Sequence, residues 1–441
     1  LQSRVPLRSR IADGLFVMAL MLYVLAGITL TPEHGDEFMY MTMAHDVFYL
    51  RDGQLDHIRY APPVLPDTEQ HLRLLNGPLN KDLIGALWMA TGRPASALPG
   101  IFAWAMPLEW NTAQGNVPTA DALTLARWPS ALLTALSIVL LFELCVQIGG
   151  RAMAYPAALL WTLHPVILLS GRRAMTEGGL LFAMILLIGL AVWIVKLKGD
   201  ATGGTAQKVR WWAWLALGLC AGLAIVAKHT GVIVVSAAVI GVLWAVWSRE
   251  RQRALIGVIG AGVIALLTFL AFNPAYWNNP IGAGGAMLDA RSTLLAMQTR
   301  NDPATYTRLD QRIMATITQP FLSAPQYYEA PTWNGTIDDA IARYEASPVS
   351  GWRWPWPIGA IFTGAALIGA LIIGWRALRE GDPIARVLLI WLLASVAGSV
   401  VVPIAWQRYY VPMLPALIVA AAYPLYALRV RLRTHELDRN A

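Results

Sequence analysis

A chain of 441 residues that is 56% hydrophobic and only 14% charged has too few ionised side chains for a water-covered surface, where about 25% is usual. The apolar surplus must face lipid. Cys145 and Cys220 both lie in apolar runs, which excludes a disulfide framework and a thiolate metal site. In a membrane chain the placement of a net charge of +7 tells more than its sum, and no nucleic-acid partner is expected.

A spanning helix needs about 20 largely apolar residues. About ten such segments succeed one another, near 14–31, 122–148, 152–170, 174–195, 211–228, 231–248, 254–276, 357–375, 386–404 and 409–428. Tryptophans such as Trp110, Trp211, Trp277, Trp375 and Trp406 gather near their ends, as indoles do at headgroup level. Arg4, Arg8 and Arg10 precede the first segment. Alternation puts Arg151, Lys196, Lys198, Lys208, Arg210, Arg249, Arg251, Arg253, Arg376, Arg379, Arg386 and the tail residues Arg429, Arg431 and Arg433 on that same side. The positive-inside rule makes this side cytoplasmic and leaves both termini there. The expected fold is an all-α polytopic membrane protein, one transmembrane domain over 1–441 with a basic cytoplasmic tail at 429–441. No small-residue cleavage site comes after the first segment, so it is expected to be retained.

Two polar segments, 32–121 and 277–356, then fall on the extracytoplasmic side. The first holds amphipathic stretches near 81–92 and 97–108, too short to span and expected as interfacial helices. The second holds helical patterns near 286–299 and 306–318, and Pro320, Pro325 and Pro331 interrupt the chain beyond them.

Five basic residues run against the orientation rule: Arg127, Arg172, Arg173, Lys228 and Arg408, all at outer span ends. Snorkelling to headgroups would explain any one of them. Five on the face that also carries Asp36, Glu37 and Glu177 point to a shared polar site at the membrane surface. Carboxylates beside cations there suit an anionic, lipid-linked substrate whose phosphate meets Arg or Lys while a carboxylate handles a proton. His34, His164 and His229 share no metal-ligand spacing and read as packing or hydrogen-bonding residues.

Several stretches carry a family likeness in order along the chain: His34-Gly-Asp36-Glu37 with Tyr40; Asn76-Gly-Pro78-Leu79-Asn80-Lys81; Arg127-Trp-Pro129-Ser130; Ser170-Gly-Arg172-Arg173-Ala-Met-Thr176-Glu177; Gly222 to Gly231 around Lys228; and Gln407-Arg408-Tyr409-Tyr410 before Pro412. Together they resemble the GT-C membrane glycosyltransferases, in particular the protein O-mannosyltransferase and aminoarabinose transferase group. Asn76-Gly77 stands where that group has His-Pro, and Glu177 where Asp is usual. The resemblance implies a GT-C-type bundle that transfers a sugar from a polyprenyl-phosphate donor to an acceptor hydroxyl on a protein, lipid or glycan. Asp36 would be the catalytic base with Glu37 beside it. Lys81, Arg172, Lys228 and Arg408 would bind the donor phosphate, with Glu177, Arg127 and Tyr40 in support. One base opposite the leaving group implies inversion through an oxocarbenium-like transition state. No metal site is predicted, although a divalent cofactor stays open, since two carboxylates do not make up a set of three or more protein ligands. A multi-pass protein of a prokaryotic plasma membrane is expected. The rival readings are a non-catalytic subunit that kept the fold and a lipid or sugar transporter. No internal repeat supports the transporter.

Overall fold

The computed structural model describes residues 7–199, 211–301, 305–329, 333–352 and 356–440; among the orientation residues, Arg4, Lys208 and Arg210 lie outside it. Every regular element among the described residues is a helix. Helix α1 (Leu7–Ala26) leads into the first outer segment with α2 (Gly35–Met43), α3 (His45–Arg51), α4 (Glu69–Leu75), α5 (Pro78–Ala90) and α6 (Leu108–Ala113). A bundle comes next: α7 (Ala120–Gly149), α8 (Arg151–Leu163), α9 (Pro165–Arg172), α10 (Glu177–Gly199), α11 (Trp211–Ala227) and α12 (Val232–Phe272). The second outer segment carries α13 (Pro280–Asn301), α14 (Leu309–Phe321) and α15 (Asp338–Ala346). The chain then closes with α16 (Trp356–Trp375), α17 (Pro383–Val401) and α18 (Leu414–Asn440).

Among the described residues, eight helical stretches are long and apolar enough to cross a membrane, or nine if one bent pair counts as a span. The expected ten segments differ from these in two places. The third expected segment is α8 and α9, bent by 62° at a break. Pro165 has no N–H to continue the ladder and disfavours a helical residue before it, so His164 is extended with ψ 115°. The fifth, α11, has 17 described residues and is a shorter apolar helix, its expected start adjoining residues outside the described ones. Helix α12 has 41 residues, about 60 Å if straight. Yet Val235, Ala238 and Val239 share one apolar cavity with Ala261, Gly262 and Ala265. The helix therefore doubles back near its middle, and its two halves are two of the crossing stretches.

The outer segments differ from expectation in one place. Residues 98–107 are not helical: Pro99 and Pro107 leave them as loop, and the helix there starts only at Leu108. Helices do form near 81–92, 286–299 and 306–318, as α5, α13 and α14.

Close packing at one end of the bundle sets up the site. A Cβ on Gly171 would meet the Thr134 side chain at 2.5 Å, and Ser130 Oγ donates to the Gly171 carbonyl at 3.0 Å, so α9 lies tightly on α7. A Cβ on Gly77 would meet the carbonyls of Val226 and Ala227 at 2.5 Å. The turn into α5 is thereby pressed onto the end of α11, beside Lys228.

Candidate active site

Helix α2 positions the acidic pair. His34 is its N-cap, and its Nδ1 accepts the Asp36 N–H at 3.1 Å while the Glu37 carboxylate accepts the His34 N–H at 3.0 Å. This reciprocal capping box satisfies two donors that a helix start leaves open. Consecutive helical residues do not face the same way, and the two acids diverge accordingly.

Glu37 turns into the protein and is fully buried. Arg127, from the first turns of α7, clamps it with Nε–Oε1 at 2.7 Å and Nη2–Oε2 at 2.8 Å. The Ala174 N–H adds a third contact at 2.8 Å. Burial would raise this carboxyl's pKa, but Arg127 outweighs it and holds the group below its usual range. With both oxygens taken, Glu37 has no lone pair directed at a reacting group. Arg127 spends its other nitrogen on the Ile28 and Thr31 carbonyls, at 3.1 and 2.8 Å. The pair expected at the reaction centre, Glu37 and Arg127, instead joins α2, α7 and the chain after α1.

Asp36 turns outward, with 26% of its side chain exposed, and pairs with Arg408 Nη1. Arg408 Nε lies 3.3 Å from Glu329 Oε1, an ion pair without hydrogen-bond geometry. Glu329 Oε2 accepts from His34 Nε2 at 2.6 Å. Since His34 Nδ1 accepts the Asp36 N–H, the ring proton sits on Nε2. A closed circuit results: Asp36, Arg408, Glu329, His34 and back to Asp36. Burial would raise the Asp36 pKa, but Arg408 and then His34 reverse this and keep the carboxylate below its ordinary range. Glu329, 7% exposed, is likewise held below its usual range by Arg408 and His34 against burial.

Arg408 also lines an open groove. Lys228 and Arg291 contribute two further cations, and Met184, Ile233, Val234, Leu295, Val401 and Val402 form apolar walls. Lys228 comes just after the last turn of α11 in extended conformation and donates to Glu177 Oε1 at 2.7 Å. Glu177 opens α10 and is 2% exposed; its Oε2 has no hydrogen-bond partner among the described residues.

Two of the cations expected at the phosphate are engaged elsewhere. Lys81, 5% exposed, pairs with Asp46, which also accepts Arg73 Nε at 2.7 Å. Arg172 is fully buried and donates to the Tyr23 and Val24 carbonyls at 2.8 and 2.7 Å, to Val349 O at 2.6 Å and to the Tyr344 hydroxyl at 3.0 Å. Tyr23 and Val24 end α1, where carbonyls lack helical partners, so Arg172 caps that helix. Arg173 likewise bonds the Pro32 and Tyr327 carbonyls, joining the two outer segments. Tyr40, one turn after Asp36, donates to Asn76 Oδ1 at 2.8 Å and holds the turn before α5 against α2. Burial pushes its hydroxyl pKa upward.

Sequence reasoning missed Asp46, Arg291 and Glu329. None lies in a motif, although Asp46 comes ten residues after Asp36 and is polar inside a hydrophobic stretch. For a divalent cation the donor set does not fit: among the described residues no three His, Cys, Asp or Glu side chains group to hold a metal, and the carboxylates of Asp36 and Glu329 are already paired with Arg408.

The family model for dolichyl-phosphate-mannose-protein mannosyltransferase matches residues 70–282. No curated protein matches the sequence. Among solved structures, the archaeal oligosaccharyltransferase AglB from Archaeoglobus fulgidus, in complex with an inhibitory peptide and a dolichol-phosphate, superposes with TM-score 0.56 at 14% identity, covering 99% of this chain and 52% of that one. Its apo form gives 0.55 at 14% identity, covering 96% and 51%. The chain therefore spans about half the length of the solved structures it matches, and at this identity the likeness establishes the fold. The chain is a GT-C-type membrane protein whose residues 70–282 match the dolichyl-phosphate-mannose-protein mannosyltransferase family.

Proposed function

We propose that this protein transfers a sugar from a polyprenyl-phosphate donor to an acceptor hydroxyl on a protein, lipid or glycan, at the extracytoplasmic face of a prokaryotic plasma membrane. The observation that carries the reading is the groove in which Lys228, Arg291 and Arg408 meet apolar walls, one of these cations, Arg408, being paired with Asp36. Such a groove fits a phosphate joined to a hydrocarbon chain. The basic connections favour both termini in the cytoplasm and this groove on the opposite side.

In the proposed step the acceptor hydroxyl gives its proton to Asp36 as its oxygen bonds the anomeric carbon. The bond from that carbon to the phosphate oxygen breaks, and its electron pair leaves with polyprenyl phosphate. The anomeric centre inverts. Charge growing on the leaving phosphate is stabilised by Lys228, Arg408 and Arg291, most strongly where water is thin. Glu177 holds the Lys228 ammonium in place. Glu37 and Arg127 fix the helix that bears Asp36. Lys81 and Arg172, given their partners, hold the outer segments rather than the phosphate.

The test is transfer from a labelled polyprenyl-phosphate sugar by purified protein, after mass spectrometry of co-purifying lipid has named the donor. Wild-type transfer abolished by Asp36→Asn, with donor binding kept, is the expected result. Transfer that survives this substitution removes Asp36 as the base.

A further inference from the structure

Arg408 serves more than one anion. Its Nη1 is on Asp36, its Nε faces Glu329, and its guanidinium lies over the Trp406 and Tyr409 rings at 5.0 and 5.7 Å. The same side chain lines the lipid groove with Lys228 and Arg291. A guanidinium on one oxygen of a carboxylate weakens it as a base, and moving that cation onto another anion restores its affinity for a proton. A phosphate arriving in the groove is the anion able to draw it away, since guanidinium binds phosphate through paired hydrogen bonds. Glu329 opposes that movement. It is nearly buried, it comes from the second outer segment rather than the matched family segment, and it is anchored from behind by His34.

Resting on the donor reading of the groove, we infer that Glu329 is a positioning residue: its carboxylate competes with the lipid phosphate for Arg408 and so sets how readily donor binding uncovers Asp36. The arrangement makes Asp36 a stronger base once a bound donor phosphate has drawn Arg408 from it.

The test is binding of undecaprenyl phosphate to the full chain in nanodiscs, for wild type, Glu329→Gln, Glu329→Asp, Arg408→Ala and the double variant Glu329→Gln with Arg408→Ala. Removing a competing carboxylate is expected to tighten binding about five-fold in Glu329→Gln. Glu329→Asp, which draws the charge back by one methylene, should tighten it about two-fold. In the Arg408→Ala background the Glu329→Gln change should disappear. Unchanged or weaker binding in Glu329→Gln, with a wild-type melting curve, overturns the inference and leaves the donor assignment standing. Equal tightening with and without Arg408 also overturns it, because the effect would then be a general field. If Glu329→Gln fails to fold, Glu329→Asp decides by the same criterion. Absence of undecaprenyl phosphate binding to wild type sinks the donor reading itself, and this inference with it.

Discussion

Glu37 and Arg127 lie 90 residues apart and meet through two parallel hydrogen bonds of 2.7 and 2.8 Å, with 0% and 3% of their side chains exposed. The neighbouring Asp36 makes its ion contact on the opposite side, toward Arg408. One dipeptide thus supplies an anchor and a reactive group, because a helix turns about 100° per residue.

The two acids should therefore separate by phenotype. Arg127→Ala leaves a buried carboxylate unpaired, and losing one partner of such a pair costs about 3–5 kcal/mol. Asp36→Asn removes a partly exposed contact and should cost about 1 kcal/mol or less. Thermal unfolding in one detergent compares them: a large fall in midpoint for Arg127→Ala and a small one for Asp36→Asn are expected. Equal falls would contradict the anchor assignment.

The pH dependence of stability has a definite sign. The Asp36, Glu37 and Glu329 carboxyls are all held below their usual values of 3.8 and 4.5. Depressed carboxyl pKa values give stability that is present above the unfolded values and lost as pH falls through the folded ones. Unfolding midpoints should be flat near neutrality and drop below about pH 4.5. Replacing Glu37 by Gln should shrink that acid-side drop.

Asp82 works in the other direction. Burial, with the negative Asp46 nearby, pushes its carboxyl up to about 6, although Lys81 pulls against this. A raised carboxyl pKa means that stability is lost as pH rises from the unfolded value, 3.8, through about 6. Its side chain is 26% exposed, so screening leaves on the order of 1 kcal/mol. Asp82→Asn should raise the midpoint at about pH 7.5 and leave it nearly unchanged at about pH 4.

The membrane layout is legible in the sequence because one spanning helix is a long, local signal. Segments such as Glu177–Gly199 announce themselves without reference to any neighbour. The break at His164 is less legible: Pro165 marks a kink, but whether two short helices make one span depends on packing. At the site, the outer-end cations correctly signal that each needs a partner. Sequence cannot say whether the partner is a ligand or the chain itself. Arg172 shows the second case, its guanidinium seated where any side chain on Gly27 would stand. Arg291 and Glu329 are invisible for another reason: tertiary contacts bring Arg291 to the groove and Glu329 to Arg408 and His34, with no pattern in their own neighbours.

Arg291 supplies a prediction that tests the groove as the phosphate site. It sits on α13, a helix outside the bundle, yet it lines the same groove as Lys228 and Arg408. One charge-assisted hydrogen bond contributes about 1.5–3 kcal/mol, and partial solvent access reduces this. Arg291→Ala should then weaken undecaprenyl phosphate binding about ten-fold. Arg300, in the last turn of α13, bonds the Ala296 carbonyl at 3.4 Å and does not line the groove. Arg300→Ala removes the same charge from the same helix and should change affinity by less than about two-fold. Titration of both variants against the lipid separates a groove contact from the general charge of the outer segment. Equal weakening by the two would place the phosphate elsewhere and leave Arg291 as a solvated surface charge.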